Sequence, residues 1–486
     1  MSATVTVDIG TTGVKLCLFA GGGDLIASDR QTTPVVDDLW GEIYDLPALN
    51  SYIAHFIGEL LPEQRAEVRR IAFTGIGESG GLVREDMSLA SPMILWHDQR
   101  GAEFVNRLTA DDRHTVYRVT GLPANANYGI SKAAWALGRS VHNDGVQWLN
   151  VAEYLAADLT GERWSEWSLA SRTMALDLHT GTWSSEVCAL FGLTPEKFPS
   201  LRQASDGVPM LPQHAERLGL NPETLVHVVG HDHMVGAVGA GLGGGELLNS
   251  TGTTEGLLVL RDAPSVSREQ ERTKLANGIS CTADEFTLFA SIPTGGSAFE
   301  TLQGLLDIGE DELVAMVDSV HSDYLDGAVD VEGAPLVLPQ FRGSPPPVKS
   351  ASARGMVAGV TSTTTAKELV FGLFLGLALQ FEDVLRLFGE RPDVVKVIGP
   401  ASRNPLWLQL KADLLGTPLS VSQFPEVVSR GAHLLASGSK GDWASSDPRL
   451  VAPDDSRHRR LVAWAHDVRP LWEHLKAAPV PETRKR

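Results

Sequence analysis

Asp8-Ile9-Gly10-Thr11-Thr12-Gly13-Val14-Lys15 opens the chain, and Asn249-Ser250-Thr251-Gly252-Thr253-Thr254 returns to the same character near its middle. In each case small residues form a tight turn between two β-branched, apolar runs. Residues 4–7 and 14–19 flank the first turn and predict a strand–turn–strand unit, with 25–32 as a third strand. Helical apolar spacing follows at 46–61, then a buried strand at 69–74. This order differs from a Walker-type loop, in which a strand passes through G-x-x-x-x-G-K-[ST] into a helix. The pattern returns in the second half: strands at 246–250, 255–260 and 286–292, a long apolar helix at 365–388, and a strand at 394–398. Two similar α/β domains facing each other across a cleft are the economical reading. The boundary is set in the glycine-rich run 239–245, where glycine permits a hinge. This gives domains 1–243 and 244–476 and a polar tail, 477–486.

Between the two turns stands Gly230-His231-Asp232-His233. Asp232 follows a short strand, 226–229, and precedes an Ala/Gly/Val-rich helical stretch. Read as extended, the segment points His231 and His233 away from Asp232. An isolated carboxylate beside two phosphate-binding turns suits phosphoryl transfer to an alcohol, with the carboxylate taking the hydroxyl proton. The plain alternative is a helix cap by Asp232. Two histidines around one aspartate, without further ligands nearby, do not make a metal site.

The bulk composition agrees with a large globular protein. The 486 residues are 43% hydrophobic, enough for two cores, and the formal charge of −19 argues against a nucleic-acid footprint. Anionic nucleotide must then be held locally by backbone N–H groups, Mg²⁺ and a few cations. Cys17, Cys188 and Cys281 are far apart and odd in number, which fits a reducing cytoplasm and no disulfide framework. The most apolar stretch, 369–379, is too short to span a bilayer. No signal-peptide pattern opens the chain.

Further motifs each carry two readings. In the first turn, Gly10, Thr11, Thr12 and Gly13 let backbone approach a phosphate, and Asp8 can hold Mg²⁺ through water; an ordinary hairpin turn is the alternative. Trp96-His97-Asp98-Gln99-Arg100 sets Trp96, Asp98 and Arg100 on one side of an extended segment, a platform for a polyhydroxylated ligand or a core tryptophan beside an ion pair. The glycines of Gly75-Ile76-Gly77-Glu78-Ser79-Gly80-Gly81 suggest close approach to a ligand, with Glu78 or Ser79 as hydroxyl partners, or a plain βα loop. Gly399-Pro400-Ala401-Ser402-Arg403-Asn404 opens a helix whose N-terminus can meet a ribose or base, or is simply capped by Ser402 or Asn404. Thr294-Gly295-Gly296-Ser297 is a similar turn. Gly343-Ser344-Pro345-Pro346-Pro347 reads as a surface loop.

Taken in order, the motifs resemble those of the FGGY family of carbohydrate kinases, within the actin-like ATPase superfamily. The matching pieces are Asp8 to Lys15, Trp96-x-Asp98-x-Arg100, Gly230-x-Asp232, Ser250 to Thr253, Gly295-Gly296, Gly399 with Ser402-Arg403-Asn404-Pro405-x-Trp407, Lys411-Ala412-Asp413, and Gly431-Ala432. The resemblance implies two ribonuclease-H-like domains, each a mixed sheet flanked by helices, with ATP and a carbohydrate in the cleft between them. It implies Asp232 as general base and Asp8 as the Mg²⁺ residue. Gly10, Thr11, Thr12 and Lys15, with Thr251, Gly252 and Thr253, fall on the phosphates. Gly295, Gly296, Gly399, Ser402 and Asn404 fall on the nucleotide, and Glu78, Ser79, Trp96, Asp98, Arg100 and His231 on the sugar. At family level it also implies a homodimer. Two departures stand out: Pro400 follows Gly399 where paired glycines are usual, and Glu78-Ser79 matches neither the Met-His pair of xylulose kinases nor the Arg-Glu pair of glycerol kinases. The expectation is an ATP- and Mg²⁺-dependent kinase for a small sugar, sugar alcohol or sugar acid. An actin-like ATPase with a conformational or chaperone role, or a non-catalytic sugar-binding regulator, are the alternatives.

Overall fold

The computed structural model describes residues 2–140 and 143–479. Val5, Val7 and Ile9 alternate with Thr4, Thr6 and Asp8 along the strand Ala3–Ile9, and all seven of its residues are buried. A strand covered on both faces sits inside a sheet with helices on each side. The first sheet runs in space as Leu25–Thr32, Gly13–Phe19, Ala3–Ile9, Val68–Gly75, Leu225–His231, with a short edge strand Val208–Pro209. Its first three strands are antiparallel and the next two join in parallel.

The second sheet repeats this order. Phe286–Ile292, Glu255–Arg261 and Glu246–Thr251 are antiparallel neighbours, and Val394–Ile398 and Leu419–Val421 continue in parallel. Edge strands Ala276–Ile279 and Arg449–Val451 complete it. The fold is therefore α/β with two mixed sheets of the same plan.

Local chemistry starts the main helices where their sequences say. Asp45 accepts from Ala48 N at 3.0 Å to cap Leu46–Glu59, with Pro47 in the first turn. Thr365 and Glu368 form a reciprocal capping box on Ala366–Arg386, the apolar helix of the second half. That helix is buried through Phe371, Phe374 and Phe381. Among the described residues, no helix is long and apolar enough to cross a membrane.

Two helices join the halves. Asp232–Gly239 follows the last parallel strand of the first sheet, and Val427–Ser437, from the second half, packs on that same sheet and on Asp232–Gly239. They approach backbone to backbone: a Cβ on Gly239 would overlap the Val427 carbonyl oxygen, and one on Gly431 the Val235 carbonyl oxygen. Ala72, Val229, Val235, Leu248, Ile398 and Ala432 share one apolar cluster across this junction.

The proline segment is not a simple surface loop. Gly343, Pro345 and Pro346 are buried, and only its end, Pro347 to Lys349, is exposed. The polar residues 482–486 lie outside the described residues.

Candidate active site

Parallel pairing sets His231 opposite Gly75, so the strand Leu225–His231 delivers Asp232 beside the loop that begins at Gly75. Asp232 is the first helical residue and His231 the cap position, which overturns the extended reading of this segment. The Asp232 side chain does not cap as an N-cap would; its Oδ1 accepts from the adjacent His233 N at 2.6 Å. Nor do the histidines point away together. His231 Nδ1 lies 3.2 Å from Asp232 Oδ1. The two imidazoles stack at 5.6 Å, and His233 packs on Phe289 of the second half. Among the described residues no group donates to Asp232 Oδ2, and the side chain is partly open to solvent. Below it, Ser168 Oγ accepts from His231 N at 2.9 Å and donates to Glu166 Oε2. Burial pushes the Glu166 carboxyl up to about 8.

Glu78 is buried next to His231, with 3.5 Å between its Oε2 and His231 Nε2. Its Oε1 accepts from Arg172 Nε at 2.9 Å and Nη2 at 2.5 Å. Burial alone would raise this carboxyl, but Arg172 and His231 hold it well below the usual carboxylate range. Ser79 is buried against Tyr44, its Oγ 3.2 Å from the tyrosine hydroxyl, and so does not face a ligand. The glycines of this loop also serve a different purpose from the expected one. A Cβ at Gly75, Gly77 or Gly80 would collide with Ile9, Arg172 or Trp148. The close approach is to the protein itself.

The Trp96 segment is a turn, with Asp98 N donating to Leu95 O, and not an extended platform. Its three side chains therefore part. Trp96 Nε1 donates to Thr11 Oγ1 at 3.1 Å. Asp98 and Arg100 bind each other at 2.6 Å, and Arg100 binds Asp38 at 2.8 Å. A cavity of about 600 Å³ lies alongside, lined by Trp40, His97, Asp98, Gln99, Trp135 and Arg139. Beneath the turn, Lys132 is fully buried and donates to the carbonyls of Trp96, Ala126 and Asn127. Burial pushes its ammonium down to about 7.

At the first turn, Thr11 and Thr12 are exposed, and Gly10 N donates to Gly13 O at 3.0 Å. Lys15 points to Glu426 of the second half, 3.0 Å away. Asp8 Oδ1 is buried without a hydrogen-bond partner. Burial pushes this carboxyl up to about 7; Lys15 opposes the rise, and Asp232 and Glu426 add to it. Buried carboxylate charge lacking compensation fits a site for a divalent cation.

At the second turn the Thr251 hydroxyl is turned inward and donates to Ile398 O, while Gly252 and Thr253 remain partly exposed. Gly296 N and Gly295 N donate to Gly252 O and Thr253 O, so the Gly295-Gly296 turn is docked on this one. Gly399 has φ +96, and a Cβ there would overlap the Thr251 carbonyl. Pro400 opens a short 3₁₀ turn, Pro400–Arg403, where its fixed φ and missing N–H are tolerated. Ser402 Oγ donates to Gly399 O, and Asn404 Oδ1 caps Pro405–Leu415 through Trp407 N. Gly252, Gly295, Gly296, Gly399 and Ala401 thus form a surface almost free of side chains.

The FGGY family of carbohydrate kinases, N-terminal domain, matches residues 3–239, and the C-terminal domain of the same family matches residues 247–439. The chain belongs to the FGGY family. It is 27% identical to the glycerol kinase of Gloeobacter violaceus, covering 96% of this chain and 94% of that one. It is 24% identical to the xylulose kinase of Bacillus subtilis, covering 92% and 90%. Among solved structures, gluconate kinase from Lactobacillus acidophilus superposes with a TM-score of 0.85 at 18% identity, covering 98% and 99%. Plasmodium falciparum glycerol kinase with ADP gives 0.84 at 18%, covering 99% of each. As an FGGY kinase this protein is a phosphotransferase acting on a carbohydrate.

Several residues of this FGGY kinase site escape a reading by motif. Arg172, Tyr44, Lys132 and Glu426 come from four separate segments and meet only in the fold. Arg172 had a signal: a lone cation inside the apolar run 169–178 must find a buried partner. Lys132, between Ile130 and Ala133, carries the same mark.

Proposed function

We propose that the protein transfers the γ-phosphoryl group of ATP to a hydroxyl of a small sugar, sugar alcohol or sugar acid, with Asp232 as general base. The observation that carries this is the Asp232 carboxylate. One oxygen is fixed by the His233 N–H, the other is unengaged, and Glu78 and Asp8 lie on either side within electrostatic reach.

Asp232 Oδ2 takes the proton as the hydroxyl oxygen attacks phosphorus, and His231 holds the carboxylate in place. Backbone N–H groups and hydroxyls of Gly10, Thr11 and Thr12, and of Gly252 and Thr253, hold the phosphates. The bare surface of Gly295, Gly296 and Gly399, with Ser402 and Asn404, receives the adenosine. Mg²⁺, held by Asp8, supplies charge neutralisation on the phosphates; a single carboxylate suffices because Mg²⁺ keeps waters and phosphate oxygens as its other ligands. Lys15 positions Glu426 and the second half against the first turn. Closure of domains 1–243 and 244–476 excludes water, the competing acceptor.

The test is ADP release with MgATP against ketoses, aldoses, alditols and sugar acids, with Asp232→Asn alongside. Stimulation by one compound that the variant loses supports the reading. A folded, ATP-binding protein that no compound stimulates would instead support an ATPase or a regulator.

A further inference from the structure

Arg172 has more donors than the protein uses. It ends the short helix Trp167–Ser171 and is 5% exposed. Nε and Nη2 are spent on Glu78 Oε1, whereas Nη1 is buried with no hydrogen-bond partner. The guanidinium lies 5.3 Å from the ring of Tyr128 in the first half and 5.6 Å from that of Phe289 in the second. Those flat walls leave the Nη1 edge as its polar outlet. Gly77 makes room for it, since a Cβ there would sit 2.6 Å from Arg172 Cβ and 3.0 Å from His231 Cδ2. A buried charged donor without an acceptor is costly, so its retention beside Asp232 calls for an acceptor brought by a ligand.

A second cation faces the same place. The segment from Gly343, seated by buried Pro345 and Pro346, carries Lys349. Lys349 has no carboxylate partner among the described residues. It is reached by solvent yet surrounded by protein; that desolvation, with the charges of Arg172 and Lys274 and against that of Glu78, pushes its ammonium down to about 8. Glu78 is already committed to Arg172. On a chain of net charge −19, cations left without counter-ions at one place are informative. A neutral polyol can satisfy Arg172 Nη1 with a hydroxyl but leaves Lys349 uncompensated. A carboxylate satisfies both, and Arg presents to it a planar, charge-assisted donor.

We infer that the acceptor substrate is a sugar acid, its carboxylate held between Arg172 Nη1 and Lys349 Nζ and its reacting hydroxyl presented to Asp232. This rests on the kinase reading above and narrows it to one substrate class. Arg172 and Lys349 act as specificity-determining residues; no proton is moved through either.

The experiment pairs each aldonate of four to six carbons with the alditol and aldose of the same configuration, and measures kcat and KM with MgATP. An aldonate is expected to exceed its neutral partners in kcat/KM by about 10²-fold, the span of one or two charge-assisted hydrogen bonds. Lys349→Ala should raise the aldonate KM about 10-fold while leaving kcat and the ATP KM in place, and Lys349→Glu should raise it further. Arg172→Lys should do likewise; if loss of the Glu78 pair unfolds that variant, the exposed Lys349 variants decide. A neutral sugar preferred over every acid, with activity lost in Asp232→Asn, would overturn the sugar-acid inference and leave the kinase standing. An unchanged aldonate KM in both Lys349 variants would also overturn it. Failure of acids and neutral compounds alike, in folded protein that binds ATP, would remove the kinase reading and this inference with it.

Discussion

Trp96 Nε1 donates to Thr11 Oγ1 across 3.1 Å, tying the wall on the sugar side to the first phosphate turn. Two segments 85 residues apart are thus registered by one neutral hydrogen bond. Thr11→Val and Trp96→Phe each remove it. Each should lower kcat/KM about 5-fold, the worth of about 1 kcal/mol. The double variant should lose no more than either single one. Losses that multiply in this double-mutant cycle would show that the two residues act separately.

Asp232→Asn keeps the shape of the side chain and removes its basicity. Turnover should fall about 10²-fold or more while ATP binding, read by equilibrium titration, stays within a few-fold. Near-normal turnover would remove Asp232 as base.

Glu166 sets a pH dependence of stability. Its folded value, about 8, stands above the ordinary 4.5 because burial penalises the charge. Oε1 has no partner, as suits a neutral carboxyl. A raised value means stability that is complete below pH 4.5 and is lost as pH rises through about 8. Glu153, raised to about 7 by burial, adds in the same sense. The slope approaches about 1.4 kcal/mol per pH unit for each group. Thermal unfolding at pH 6 and pH 9 should show a lower midpoint at pH 9, and Glu166→Gln should shrink the gap. An equal gap in the variant would remove Glu166 as its source.

Gly431→Ala places a methyl group against the Val235 carbonyl and should destabilise by about 1–3 kcal/mol or more. Gly58→Ala, in the helix Leu46–Glu59 with open space around the new Cβ, should stabilise by about 0.5–1 kcal/mol. Denaturant midpoints for the two variants should therefore move in opposite directions.

Much of the fold was legible because its period is local. Strands 25–32, 286–292 and 394–398 coincide with the observed Leu25–Thr32, Phe286–Ile292 and Val394–Ile398. The duplicated sheet order follows from strand-turn-strand units that a linear reading can see. The site was legible in its backbone turns and in Asp232, since those lie within one motif each. What failed was side-chain direction. Trp96, Asp98 and Arg100 alternate in sequence, but a turn at Leu95 to Asp98 sends them to different partners. Glycine density at 75–81 was read as room for a ligand, although Trp148, Arg172 and Ile9 fill that room. Arg172 pairs with Glu78 across 94 residues, and no spacing rule spans that separation.

Lys132 has a consequence of another kind. Its ammonium sits among three carbonyl oxygens and hydrogen-bonds to no carboxylate. A dehydrated potassium ion would ask for the same oxygen cage. The fold therefore carries its own monovalent cation on a covalent tether, and this wall is filled without drawing one from solution. Its occupancy is set by the chain and not by the salt around it.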